Sequence, residues 1–164
     1  MDISEILKRE RIKKIVFMPD SLTVKILNET ELRNNGIDYI QVLNESDAVT
    51  ICSGLNLSGM LSLCVMENSG IRSACDIISR LELSHGIHNL YIVSNRGEIG
   101  EENWWGVFHN DVTEQIIKST NMKSILVNNV SEFEIALHNA IKTFKTEQVS
   151  AVLLLSYSFF EDFT

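Results

Sequence analysis

The feature of this sequence that most constrains its fold is a series of short, mostly unbroken apolar runs separated by stretches with helical spacing. The runs fall at residues 15–18, 39–43, 61–66, 90–93, 124–127 and 149–155. A strand with one wet face alternates apolar and polar residues, whereas a strand that is apolar throughout is covered on both faces. Between the runs the spacing predicts helices over 4–11, 47–58, 71–83, 112–119 and 132–144. A further helix opens at Asp20-Ser21, carries Leu22, Val24, Ile26 and Leu27, and closes at Asn34-Asn35-Gly36. Ala48, Cys52, Leu55 and Gly59 share one helical stripe, and Ile71, Ala74, Cys75, Ile78 and Leu81 share another. The stripe Phe133, Ala136, Leu137, Ala140, Ile141 and Phe144 is the clearest. Pro19, the only proline, ends the first strand because it cannot donate to a sheet ladder. Six strands alternating with helices predict a three-layer α/β/α domain on a six-stranded, mostly parallel sheet, since right-handed crossovers place helices on both faces.

With 164 residues the chain is expected to form a single domain, 1–164, with 156–164 as an aromatic tail for partner contact. No apolar run approaches the roughly eighteen residues a membrane span needs. The N-terminus carries charges every few residues, unlike a secretory leader, and the chain is read as cytoplasmic. The net charge of −8 opposes the phosphate attraction on which nucleic-acid binding depends, so neither nucleic acid nor a membrane is expected as a partner. Cys52, Cys64 and Cys75 have no paired spacing and read as small core residues. His85, His88 and His138 read as solvated, and no cluster has metal-ligand spacing.

In parallel sheets of this kind ligands bind beyond the carboxyl ends of the strands, so the residues just after each strand carry the information. Here they are Pro19-Asp20-Ser21, Asn44-Glu45-Ser46, Glu67-Asn68-Ser69-Gly70 and Asn95-Arg96-Gly97-Glu98. Taken alone they form a polar rim such as any α/β domain has. Their order and content, from Pro19-Asp20-Ser21-Leu22 through Asn44-Glu45 and Met66-Glu67-Asn68-Ser69-Gly70-Ile71 to Arg96-Gly97-Glu98, resemble the alpha subunits of the phosphonopyruvate and sulfopyruvate decarboxylases. These are thiamine diphosphate enzymes.

The resemblance implies a pyrimidine-binding domain. It implies that Glu45 gives a proton to N1′ of the aminopyrimidine, which favours the 4′-imino tautomer able to remove the thiazolium C2 proton. A carboxylate that merely starts its helix is the alternative for Glu45. Asn68, Ser69 and Gly70 match the segment that approaches the cofactor, with a plain helix cap as the alternative for Asn68 or Ser69. Asp20 matches an acid near the substrate, or else caps its own helix. Ser21, Glu67, Arg96, Trp104, Trp105 and His109 complete the expected substrate pocket. Glu67 stands where the relatives carry glutamine; facing the pocket, it would repel a phosphonate or sulfonate. The sequence has no Gly-Asp-Gly, so thiamine diphosphate and its Mg2+ are expected to be held by a separate diphosphate-binding beta subunit, in an α2β2 or larger assembly. The expected activity is decarboxylation of a 2-oxo acid. Carboligation, and a non-catalytic binding module on the same fold, stay open.

Overall fold

The computed structural model describes residues 2 to 163. Six strands, β1 (Lys14–Phe17), β2 (Asp38–Gln41), β3 (Ser62–Glu67), β4 (Leu90–Ser94), β5 (Lys123–Val127) and β6 (Ala151–Leu155), form one sheet in the order β2-β1-β3-β4-β6-β5. All five pairings are parallel. Alternate strand residues divide the core in two. Ile15, Phe17, Leu63, Val65, Leu90, Ile92, Leu153 and Leu155 point to one face, against helices α1 (Ile3–Arg9), α2 (Glu29–Asn34) and α7 (Val130–Glu147). Val16, Cys64, Met66, Tyr91, Val93, Val152 and Leu154 point to the other, against α3 (Glu45–Leu57), α4 (Asn68–Ser73) and α6 (His109–Ser119). This is the three-layer α/β/α architecture that the unbroken apolar runs require. Each such side chain taken fully out of water contributes about 1.5 to 3 kcal/mol before chain entropy is charged against it.

Two expected helices are broken, each for a local reason. The segment opening at Asp20 forms only a 3-10 turn, Thr23–Lys25, because the Asp20 carboxylate accepts the N–H groups of Leu22 and Thr23 and closes a tight turn. A separate helix, α2, then starts where Asn28 accepts the N–H of Glu31 at 3.2 Å. The expected helix over 71–83 is α4, a single turn α5 (Cys75–Ile77) and a π-helical turn, Ile78–Leu83. That wider turn carries Glu82 into the interior, where hydroxyl and amide donors await it.

Smaller departures follow the same logic. Asp2 caps α1 by accepting the N–H of Ser4, and α6 begins at His109 rather than 112. The tail forms a 3-10 turn, Tyr157–Phe163, that buries Phe159 and Phe160 in the domain's own core, with Phe159 5.8 Å from Phe133. Among the described tail residues, Tyr157, Ser158, Glu161 and Asp162 are exposed and Phe163 is half-buried. No helix among the described residues is long and apolar enough to cross a membrane.

The chain leaves β1 toward β2 on one side while β3 pairs with β1 on the other. The connections after β1 and β3 therefore diverge, opening a crevice beyond their carboxyl ends.

Candidate functional site

Glu45 is the first residue of α3, directly after β2 and its connecting turn. Asn44 caps the helix by accepting the N–H of Asp47 at 2.9 Å, and Glu45 stands in the first turn, where a carboxylate also favours the free N–H groups of the helix start. The Glu45 stem lies across Gly70 of α4: a Cβ there would sit 2.6 Å from Glu45 Cγ and 2.9 Å from the Met66 sulfur. Bare backbone at position 70 is what lets α4 approach α3 with Glu45 between them. This gives Gly70 a steric reason beyond any approach to a ligand. Among the described residues, no side chain makes a hydrogen bond or ion pair with the half-buried Glu45 carboxylate.

Beside it, the ends of β1, β3 and β4 meet around Arg96, which is 3% exposed. Its Nε donates to Glu67 at 2.7 Å and one Nη donates to the Ser21 hydroxyl at 2.7 Å. The other Nη lies 3.6 Å from Glu101, and the guanidinium stacks 4.8 Å from the centre of the Trp105 ring. Glu67 also accepts from the Ser69 hydroxyl at 2.7 Å and faces His109 Nδ1 at 3.8 Å. Asn68 is no helix cap; its amide donates to Asn95 at 3.1 Å and to the Arg96 carbonyl at 2.8 Å, tying β3 to β4.

The loop after β4 folds back onto this cluster. Gly97 has φ of +90°, and a side chain there would meet the Gly106 carbonyl at 2.7 Å and the Asn110 nitrogen at 2.8 Å. Glu101, turned inward by the fold, accepts N–H bonds from Gly97 and Asn103.

The structure thus gathers Ser21, Glu67, Ser69, Arg96, Trp105 and His109 into one contact network, with Glu45 and Gly70 adjoining it. Asp20 is held by its own turn, by the Thr23 hydroxyl, and by Ser94 at 3.1 Å. Trp104 stands apart: it is 86% exposed, whereas Trp105 covers Arg96 and lies 5.9 Å from the His109 ring. Sequence reasoning missed Glu101 and Arg72. Glu101 reads as half of an exposed acidic pair, and Arg72 as an ordinary solvated helix charge. Nothing in the local pattern marks either one.

The electrostatics are those of a crowded, largely buried cluster. Burial lowers the His109 pKa and the Arg72 guanidinium lowers it further, outweighing Glu67. Arg72, a donor only, approaches His109 Nε2 at 3.5 Å, which assigns the proton of the neutral ring to Nδ1, toward Glu67. Burial alone would raise the Glu101 acid, but N–H bonds from Asn103 and Gly97, the Asn103 amide and Arg96 hold it below the ordinary range. Among the described residues, the buried side-chain atoms without a hydrogen-bond partner are Asn68 Oδ1, Arg96 Nη1 and His109 Nδ1, all within this cluster.

No family model matches the chain. In sequence it is 32% identical over 96 residues to the sulfopyruvate decarboxylase subunit alpha of Methanocaldococcus jannaschii, a match covering 58% of this chain and 56% of that subunit. It is 32% identical over 66 residues to the corresponding subunit of Methanococcus maripaludis, covering 40% of each. The chain thus matches about half the length of the first of these curated relatives and less of the second. In structure, 99% of it superposes on 31% of a chain of the 2-oxoglutarate:ferredoxin oxidoreductase from Magnetococcus marinus, with a TM-score of 0.74 and 16% identity. These matches bear out the resemblance drawn from the strand-end motifs: the chain is similar in sequence to sulfopyruvate decarboxylase alpha subunits, and shares its three-layer fold with one part of a much longer oxidoreductase chain.

Proposed function

We propose that this chain is the alpha-type subunit of a split, thiamine diphosphate-dependent 2-oxo acid decarboxylase in which Glu45 activates the aminopyrimidine. The observation that carries the reading is the Glu45 carboxylate itself. It stands at the carboxyl end of the sheet, its stem fits a gap that only glycine leaves open, and no other described side chain engages it. A carboxylic acid left free in that position suits a ring nitrogen that must be given a proton.

Bound thiamine diphosphate would supply a carbon nucleophile for the keto group and a sink for the electrons left when carbon dioxide departs. The chain's own share is to hold a proton at N1′ through Glu45. Asn68 Oδ1, buried and without a donor, suits an amino group. Diphosphate and Mg2+ fall to a partner subunit in an α2β2 or larger assembly. Two features support such a partner: the relatives are named as alpha subunits, and large apolar side chains stand exposed at this end of the sheet, among them Leu43, Ile99, Trp104 and Phe108.

The test is to co-purify the chain with a partner carrying the Gly-Asp-Gly site. Thiamine diphosphate retention is then measured by calorimetry and carbon dioxide release from 2-oxo acids is followed. The wild-type pair is expected to retain the cofactor and turn over. The Glu45→Gln pair should retain it and lose turnover, and near-normal turnover in that variant would refute the assignment.

A further inference from the structure

Resting on the decarboxylase reading, the charges of the site narrow the substrate. Arg96 is the buried cation of the site, and its bonds and face are taken up except at one Nη, which has no hydrogen bond and faces only a carboxylate. Its Nε is held by Glu67, one Nη by Ser21, its face by Trp105, and its remaining Nη looks at Glu101 from 3.6 Å. One guanidinium thus faces two carboxylates, a local balance of one negative charge. The other unmatched donor, His109 Nδ1, also points at a carboxylate, that of Glu67 at 3.8 Å. The third unmatched atom, Asn68 Oδ1, is an acceptor and offers an anion nothing.

Asp20 and Glu45 add acid on the same end of the sheet. The one nearby cation without a carboxylate partner among the described residues is Arg72, which lies against the neutral His109 ring. One free cation answers the single carboxylate that every 2-oxo acid carries. A second anionic group would enter against Glu67 and Glu101 without a free cation to pair with, where like charge is costly.

We infer that the site takes a 2-oxo acid with one carboxylate and an uncharged side chain, and that the Glu67–Arg96 pair excludes substrates bearing a second acidic group such as a sulfonate. Glu67 is then a specificity-determining residue, acting by occupying Arg96. Glutamine at 67 would keep the shape and the Ser69 contact while releasing the guanidinium.

The experiment compares kcat/KM of the assembled enzyme on 4,4-dimethyl-2-oxopentanoate and sulfopyruvate, in which a tert-butyl group and a sulfonate of similar shape differ in charge. Wild type is expected to favour the uncharged side chain by roughly a hundredfold, the scale of one unpaired charge. Glu67→Gln should narrow that ratio at least about tenfold, and Glu67→Gln with Arg96→Met should restore it. Should either variant melt early, the wild-type ratio decides alone. A wild-type preference for sulfopyruvate with normal turnover overturns this inference and leaves the decarboxylase reading standing. An unchanged ratio in a folded Glu67→Gln enzyme overturns the role of Glu67. An assembled pair that retains no thiamine diphosphate, or turns over neither acid, sinks the decarboxylase reading and this inference with it.

Discussion

The domain buries polar side chains at both ends of its sheet, and the two ends treat them differently. At the amino end, Glu82 is 3% exposed and accepts from the hydroxyls of Tyr91 and Ser150 and from Asn89 at 3.0 Å. Asn89 in turn donates to Ser53 and receives from Asn56, and Ser150 receives the Asn89 N–H. None of the unmatched buried atoms lies there. At the carboxyl end, the network around Arg96 contains all three, and Glu45 beside it has no side-chain partner. Buried polar groups that are fully matched specify a packing arrangement; buried groups left unmatched cost stability and invite a functional explanation. The amino-end cluster is therefore read as architecture and the carboxyl-end cluster as a site.

The contrast breaks if the wrong cluster proves expendable. In the assembled enzyme, Glu45→Gln should lower turnover by roughly a hundredfold to ten-thousandfold, the usual worth of a positioned acid, with the melting temperature unchanged. Glu82→Ala should do the reverse. It strands the Tyr91 and Ser150 hydroxyls, at about 1 to 3 kcal/mol for each buried group left unpaired. Denaturant melts should show the loss, while the activity of the fraction still folded stays near normal. A large stability loss in the first variant or an intact melt in the second would erase the distinction.

Much of this is legible in the sequence. The sheet was legible because its central strands are apolar on both faces, a pattern no surface segment can sustain. The end of the sheet that carries the candidate site was legible because Pro19, Glu45, Asn68 and Arg96 all lie in the segments that follow strands. The inner wiring was not. Whether Glu67 repels or neutralises depends on Arg96, 29 residues away in the chain, and the inward turn of Glu101 depends on a glycine-based fold-back. The broken helices hid for the same reason: Asp20 and Asn28 each make a side-chain bond that outbids a helix whose apolar spacing is otherwise sound. At Glu82, burial by tertiary neighbours sets the backbone, and a helical-spacing argument has no access to them.

A finer probe of the amino end is pH. Burial raises the Glu82 acid above its ordinary value of 4.5, with the three donors only partly offsetting it. The folded state then holds this proton more tightly than the unfolded chain does. The resulting stability is fully present below 4.5, falls as pH climbs toward the raised value, and levels off beyond it. Glu82→Gln, which imitates the protonated form, should flatten that slope in melts taken across the window. An unchanged slope would mean that the carboxyl does not titrate differently in the fold.

The smallest effect separates two adjacent tryptophans. Trp105 lies over Arg96 and touches His109, so Trp105→Ala removes a cation–π contact of about 1 kcal/mol and opens the guanidinium to water. Trp104 has no such contact and points outward, so Trp104→Ala should move the melt of the isolated chain by less than about 0.5 kcal/mol. If the exposed apolar rim meets a partner, the ranking inverts on assembly: Trp104→Ala should weaken association measured by sedimentation, while Trp105→Ala acts mainly on substrate kinetics. Equal effects of the two on the isolated melt would show that Trp105 is not held against Arg96 in solution. The Arg96 guanidinium would then present an open face beside its unmatched Nη.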